Sequence, residues 1–353
     1  MRVLQINLER GWRGGERQTL LTLQGLRAAG HEAELLARSG GALGERAAAS
    51  GIPVHACQGA LGMSRFLLGA GRRYDLWHAQ TAQAMSILAA WRPLLGVPVV
   101  FTRRTAFAAR GGDRRRRWKW SRADALVAIS QAAAQAPRDL GLPVYVIPSA
   151  VEPVPPDPAR VETLRATFSL EGRRVVVTAA ALSPEKDPRT LIEAVARVRE
   201  SVPDVLCVHC GADGAAAASA RERVVALGLR DHYRFVGFQP HVADFLAVAE
   251  LYVSSSRHEA LGTSVLDACL AGLPVVATDV GGHRETLAPD RGLLVPAGDA
   301  AALARKMLWV LTHRDVAQAM AQRAQAYVAD AYSVPAMVAS YQELYAALLR
   351  GRR

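Results

Sequence analysis

The densest chemistry in the chain lies between Ser254 and Gly282, where Glu259 stands eight positions before Asp267 with Gly262-Thr263-Ser264 between them. The apolar run Leu251–Val253 reads as a strand entering this stretch. Val265–Leu270 carries helical periodicity and is stopped by Gly272 and Pro274. Gly262, Thr263 and Ser264 therefore open a helix. Free amides and the positive end of the helix dipole at such a start receive an anion, most often a phosphate. Spacing alone leaves other readings open. Ser264-x-x-Asp267 also fits a capping box that needs no ligand, and Glu259 could be an ordinary loop carboxylate.

The remaining polar candidates are more scattered. Gly14-Gly15 follows the alternating strand Val3–Asn7 and precedes a helical pattern that ends at Gly30, a turn where backbone can approach a ligand closely. His78 and Gln80 end the strand Tyr74–His78, the place where ligands gather in open parallel sheets, although a lone histidine there is more often structural. Cys207 and Cys210 have redox or zinc spacing, but they sit in a run that reads as a buried strand, with no second pair to complete a metal site. Core packing is the expectation for all four cysteines, in a reducing cytoplasm. The sequence has no Asp-x-Asp, so no divalent ion is expected.

The elements that must hold these residues alternate strand and helix along most of the 353 residues, which predicts two doubly wound parallel-sheet α/β domains, each with its own core. Pro153, Pro155, Pro156 and Pro158 stiffen one stretch and place the boundary at residue 152. No apolar run reaches membrane-spanning length. The chain opens directly into a strand without a charged-then-apolar leader, so export is not expected.

Ala271-Gly272, Pro274-Val-Val-Ala-Thr278, Gly281-Gly282, Glu285 and Gly292-Leu-Leu-Val295 follow the two acids in order. Together these resemble the C-terminal signature of the retaining glycosyltransferases of family four, which have the GT-B fold: two Rossmann-like domains facing a central cleft. The resemblance implies an N-terminal acceptor-side domain (1–152) and a donor domain (153–330). It also implies a last segment (331–353) that crosses back to the first domain. The co-substrate would be a nucleotide-diphosphate sugar, with a UDP-sugar the first expectation and no cofactor or metal. By the same resemblance Glu259 holds the sugar hydroxyls and Asp267 the ribose, while Gly262–Ser264 and Lys186 face the diphosphate. Gly237 and Phe238 seat the base, and Gly14-Gly15 lies near the donor phosphates and acceptor; the strand-end position of His78 would place it, on the acceptor side, along the same cleft. Three departures stand out: Asp267 replaces the usual Glu, Ala181 replaces an arginine, and Arg104 replaces a histidine that touches the sugar. Arginine cannot shuttle protons. Arg104 or Arg103 is instead expected to hold a phosphate or an acidic acceptor, offsetting the cation lost at Ala181.

The net charge of +11 is unevenly placed: residues 1–150 hold twenty-one basic side chains against nine acidic ones. The peak is Arg114-Arg115-Arg116-Arg117-Trp118-Lys119-Trp120. Tryptophans beside basic residues suit an anionic membrane surface or a lipid-linked acceptor, ahead of a plain solvated face; nucleic acid is not expected. The combined expectation is transfer of a sugar, with retention, to a glycan or lipid-linked acceptor in lipopolysaccharide or another envelope glycan, at the cytoplasmic membrane face. The alternatives are a non-catalytic nucleotide-sugar binder and a sugar-nucleotide epimerase of the same fold.

Overall fold

A computed structural model describes residues 1–94, 96–106 and 112–351. The chain forms two compact units, Met1–Ala150 joined by the segment from Tyr332, and Val151–Ala331. The division falls two residues before the expected 152. The proline-rich stretch is not all extended: Asp157 accepts from the Ala159 amide at 2.9 Å and starts a helix, Pro158–Thr167.

The first unit holds a seven-stranded parallel sheet. Its strands are β1 (Arg2–Asn7), β2 (Glu32–Arg38), β3 (Val54–Cys57), β4 (Leu76–Ala79), β5 (Val99–Arg103), β6 (Ala125–Ala128) and β7 (Tyr145–Val146), in the order β3-β2-β1-β4-β5-β6-β7. Helices cover both faces, so the strands are buried almost throughout. Side chains alternate between the two faces. Val3, Leu35, Leu76, Val100 and Val127 pack beneath the helices Gly14–Ala28 and Val334–Arg350, the latter supplying Met337, Tyr341 and Tyr345. Leu4, Ile6, Trp77, Val99 and Phe101 pack on the other face with Met63, Leu67, Met85, Leu88 and Trp120. That second layer is built from the helices Gly59–Gly69, Ala82–Trp91 and Asp113–Trp120.

The second unit is a six-stranded parallel sheet. It comprises β8 (Arg174–Ala179), β9 (Val205–Cys210), β10 (Tyr233–Gly237), β11 (Leu251–Ser254), β12 (Val275–Thr278) and β13 (Leu293–Val295), ordered β10-β9-β8-β11-β12-β13. Val176, Cys207, Leu251, Val253 and Val276 pack with Leu191, Val195, Leu303 and Met307 of the helices Pro188–Arg199 and Ala300–Thr312. All four cysteines are buried; on β9 burial pushes the thiol of Cys207 well up and that of Cys210 to about 12, which suits packing rather than redox chemistry. In each unit the strand order reverses once, between β1 and β4 and between β8 and β11. Ligands of doubly wound sheets bind outside the carboxyl ends of the strands at that point. No helix among the described residues is long and apolar enough to cross a membrane.

Candidate functional site

The loops leaving β8 and β11 bring the charged candidates together. Lys186, on the first loop, donates to Glu259 on the second, and their side chains keep 26% and 15% of their exposure. That leaves a pair partly withdrawn from water yet open to a ligand. Three ties hold the loops in register. The Ser255 hydroxyl lies 3.0 Å from the Lys186 carbonyl oxygen and 2.9 Å from that of Asp187. The Arg257 amide donates to the Glu185 carbonyl at 2.8 Å, and the Arg257 Nε donates to Asp187 at 2.8 Å. Asp187, in left-handed backbone, also caps the helix Pro188–Arg199 through Thr190.

The helix after β11, Thr263–Leu270, starts from Gly262, which has φ of 88° and no side-chain cap. Ser264-x-x-Asp267 is therefore not a capping box, because the capping position belongs to a glycine. The amides of Val265 and Leu266 turn back to the Gly262 carbonyl, while those of Thr263 and Ser264 precede any intrahelical acceptor. Thr263, Ser264 and Asp267 are half-buried on one side of the helix. The buried phenol of Tyr252, on β11, hydrogen-bonds Ser264 and accepts from the Ala179 amide at 3.4 Å. Gly262 is required twice over: its backbone is left-handed, and a Cβ there would lie 2.7 Å from His283 Cδ2.

His283 is a member of this cluster that the sequence did not single out. It is fully buried, and its Nδ1–H donates to the Thr278 carbonyl at 2.9 Å. Nε2 is then an acceptor, buried without a hydrogen-bond partner among the described residues. Burial, the largest influence, lowers its pKa; the nearby charge of Glu259 works against this and Lys186 adds to it. The signal available in sequence was its place directly after Gly281-Gly282. Gly282 lets that backbone pass so close to Leu261 that a Cβ would sit 2.5 Å from the Leu261 Cα.

Gly237 (φ 70°) ends β10, the edge strand, and Phe238 beside it is 61% exposed, an aromatic face open to stacking. Ala181 is exposed in the loop after β8.

In the first unit strand alternation sorts the candidates. Gln5, His78, Gln80, Thr102 and Arg104 lie on the face covered by Tyr341 and Tyr345. Arg104 donates to Gln80 Oε1 at 2.6 and 3.1 Å and to Ser149 Oγ at 3.1 Å. Gln80 donates to Gln5 at 2.7 Å, and Gln5 to the Tyr345 hydroxyl at 3.4 Å. Tyr345 lies 2.6 Å from His78 Nδ1, and His78 Nε2 lies 2.7 Å from Thr102 Oγ1. Arginine only donates, so donors run in one direction along this chain and His78 is neutral with its proton on Nε2. Burial holds the His78 pKa well below its usual value. The expectation that His78 lines an accessible crevice is corrected: it is completely buried.

Arg103 is corrected as well. It points to the opposite face, 3% exposed, donating to the Ala133 carbonyl with its guanidinium 5.5 Å from the Trp120 ring. Burial, then the charge of Arg116, lowers its pKa to about 10. An acceptor cannot reach it without unpacking that layer. Gly15 lies beside Arg104, with Cβ room at 3.7 Å. The Gly14 helix start, however, already carries the chain's own carboxylate, Glu16, which accepts from the Arg13 amide at 2.9 Å. An incoming phosphate meets negative charge there. In the basic helix Arg114, Arg115, Arg117 and Trp118 are exposed, Arg116 and Lys119 are half-buried, and Trp120 is buried, which removes Trp120 from the expected membrane-facing set.

Residues 12–154 match the family described as Glycosyltransferase Family 4, and residues 161–327 match Glycosyl transferases group 1. The chain belongs to the family-four glycosyltransferases. Its fold is GT-B, as in the structure of Anabaena Alr3699/HepE in complex with UDP, which has a TM-score of 0.87, 22% identity, and coverage of 98% of this chain and 100% of that one. Among characterised relatives, the 2-deoxystreptamine glucosyltransferase of Streptomyces kanamyceticus is 31% identical over 62% of this chain and 59% of its own length. The lipopolysaccharide core biosynthesis glycosyltransferase LpsE of Rhizobium meliloti (strain 1021) is 31% identical over 49% of each. The chain thus spans about half the length of these relatives.

Proposed function

We propose that this glycosyltransferase moves a sugar from a nucleotide-diphosphate donor, a UDP-sugar first, to a hydroxyl of an envelope glycan or lipid-linked acceptor, with retention and without a metal ion. The observation that carries the reading is the meeting of Lys186, Glu259 and the uncapped helix start Gly262–Ser264 at the β8/β11 switch point. Lys186 and the Thr263 and Ser264 amides face the phosphate whose charge grows as the anomeric C–O bond breaks. Glu259 accepts hydrogen bonds from the sugar hydroxyls, Asp267 holds the ribose, and Gly237 and Phe238 seat the base. The new C–O bond forms on the face the phosphate leaves, and the acceptor's proton passes to a phosphate oxygen, so no separate base is needed. Arg104, whose hydrogen-bond partners among the described residues are the neutral Gln80 and Ser149, supplies positive charge for an anionic group. The UDP complex of the HepE structure supports the choice of nucleotide, and the lipopolysaccharide relative supports the acceptor class.

The test is a thermal-shift series with UDP, GDP and ADP, followed by donor turnover with UDP-glucose. Stabilisation by UDP alone, weakened in Lys186→Ala, together with release of UDP in the presence of an acceptor, is expected. UDP binding without turnover of any UDP-sugar would leave a non-catalytic binder and overturn the enzymatic reading.

A further inference from the structure

His283 is fixed behind the helix start by its own loop. It follows β12, in the short helix Gly282–Leu287, and its amide donates to the Val280 carbonyl at 3.1 Å. Its Nδ1–H is taken by the Thr278 carbonyl. The Thr278 hydroxyl donates in turn to the Ser256 carbonyl at 2.6 Å, which ties the end of β12 to the loop after β11. The ring is thus held both in place and in tautomer. An imidazole that keeps Nδ1–H can change only at Nε2, from acceptor to donor.

The Nε2 edge borders a space shared with Glu259. A Cβ at Gly262 would lie 2.9 Å from this nitrogen and 3.4 Å from Glu259 Cγ. Glycine therefore keeps open a gap with a buried, unpartnered lone pair on one side and the stem of a carboxylate on the other. Two electron-rich groups so placed call for positive charge nearby, and in the free chain Lys186 supplies it. Burial is the largest influence on the ring and keeps it neutral. Of the charged groups acting on it, Glu259 and, more weakly, Asp279 favour protonation, whereas Lys186, from the loop after β8, opposes it. Asp279 is itself engaged by Arg284 Nε at 2.8 Å.

We infer that His283 is a positioning residue that takes over Glu259 from Lys186 as the donor binds: Nε2 gains one proton from solvent and, as a donor, hydrogen-bonds the carboxylate. The inference rests on the proposed reading in which the diphosphate draws Lys186 away. That exchange removes the cation opposing protonation and brings phosphate charge in its place. No bond of the donor breaks in this step, and the proton comes from the buffer. A carboxylate offers about four acceptor positions, so His283 fills one and leaves the others to sugar hydroxyls. A ring present only for packing would leave the number of bound protons unchanged.

The experiment is calorimetric titration of the full chain with UDP-glucose at about pH 6.5, in two buffers of different ionisation enthalpy. UDP-glucose is the right probe because its diphosphate is esterified at both ends and lacks the terminal phosphate that titrates near about pH 6. Wild type is expected to take up a substantial fraction of one proton per donor bound. Its affinity should fall as pH rises between the free and donor-bound pKa of the ring, by up to about tenfold per pH unit. His283→Gln places a permanent amide donor near the Nε2 position, so it should keep the preference for UDP-glucose over UDP without proton uptake. His283→Asn can still reach the Thr278 carbonyl but has nothing at Nε2, and should lose both the uptake and about tenfold in that preference. His258→Gln, beside Glu259 in sequence, should keep the uptake. Binding of UDP-glucose with no proton uptake in wild type, uptake that persists in both His283 variants, or uptake lost only in His258→Gln overturns the inference alone. Absence of any UDP-glucose binding overturns the donor reading and this inference with it.

Discussion

Lys186 and Glu259 neutralise each other in the free chain, so on the proposed reading a donor has to part them. On that reading the diphosphate draws Lys186 away, and Glu259, mostly withdrawn from water, then needs new hydrogen-bond donors. Sugar hydroxyls can supply them and a bare nucleotide cannot. Glu259→Gln is accordingly expected to bind UDP about as well as wild type while losing most of its preference for UDP-glucose over UDP; calorimetric titration with the two ligands decides it, and an unchanged preference would count against the exchange. Lys186→Ala should lower kcat/KM by about 10²–10³-fold, the usual effect of removing one group aimed at developing charge. Steady-state kinetics would show whether the loss falls mainly on kcat. Gly262→Ala tests the helix start. Left-handed backbone and the collision with His283 together should cost about 2–4 kcal/mol, read as a lower midpoint in denaturant unfolding.

At the scale of elements, hydrophobic period and turn residues placed the strands Val3–Asn7, Tyr74–His78 and Leu251–Val253 within two residues of where they lie. The loop after β11 was legible because its features are local: Glu259, Gly262 and Ser264 stand on one loop and one helix start. What could not be read was anything decided by which face a strand residue occupies. Arg103 and Arg104 are neighbours in sequence and look interchangeable there, yet the pleat of β5 sends one under Trp120 and the other toward Gln80 and Ser149. His78 shows the same limit, since its partners Tyr345 and Thr102 come from 267 and 24 residues away. The ties of Ser255 and the Tyr252 contact to Ser264 are likewise invisible without the fold. The contrast between the two arginines is testable. Arg103→Leu should lower thermal stability and leave UDP binding intact, because it breaks a buried hydrogen bond and a ring contact. Arg104→Ala should instead leave stability closer to wild type and reduce turnover; wild-type turnover in Arg104→Ala would remove that residue from the proposed machinery.

Across the whole molecule, stability should depend on pH through buried neutral histidines. His78, His209 and His283 all have pKa values lowered mainly by burial, His209 to about 4. Above about pH 6.5, where the unfolded chain is also neutral at these rings, they cost nothing. As pH falls below that, the unfolded state takes up protons the folded state refuses, and stability declines until the folded pKa is reached. His209 alone should contribute a loss of about 3 kcal/mol across that window. Denaturant unfolding between pH 7 and roughly pH 4 would show the slope, and His209→Gln should flatten it; an unchanged slope would rule out His209 as a source.

The first unit is assembled from two distant parts of the chain: Tyr341 and Tyr345 of the closing helix fill its core and complete its polar chain. During synthesis this inverts the usual order in which the N-terminal portion finishes folding first. The second unit, made from one uninterrupted stretch, has all its residues once Ala331 has left the ribosome. The first must wait with a layer of its sheet uncovered until the helix ending at Arg350 emerges. A nascent chain arrested with Ala331 just outside the ribosome and the helix Val334–Arg350 still inside would have a second half that can protect itself from protease while its older, first-made half cannot.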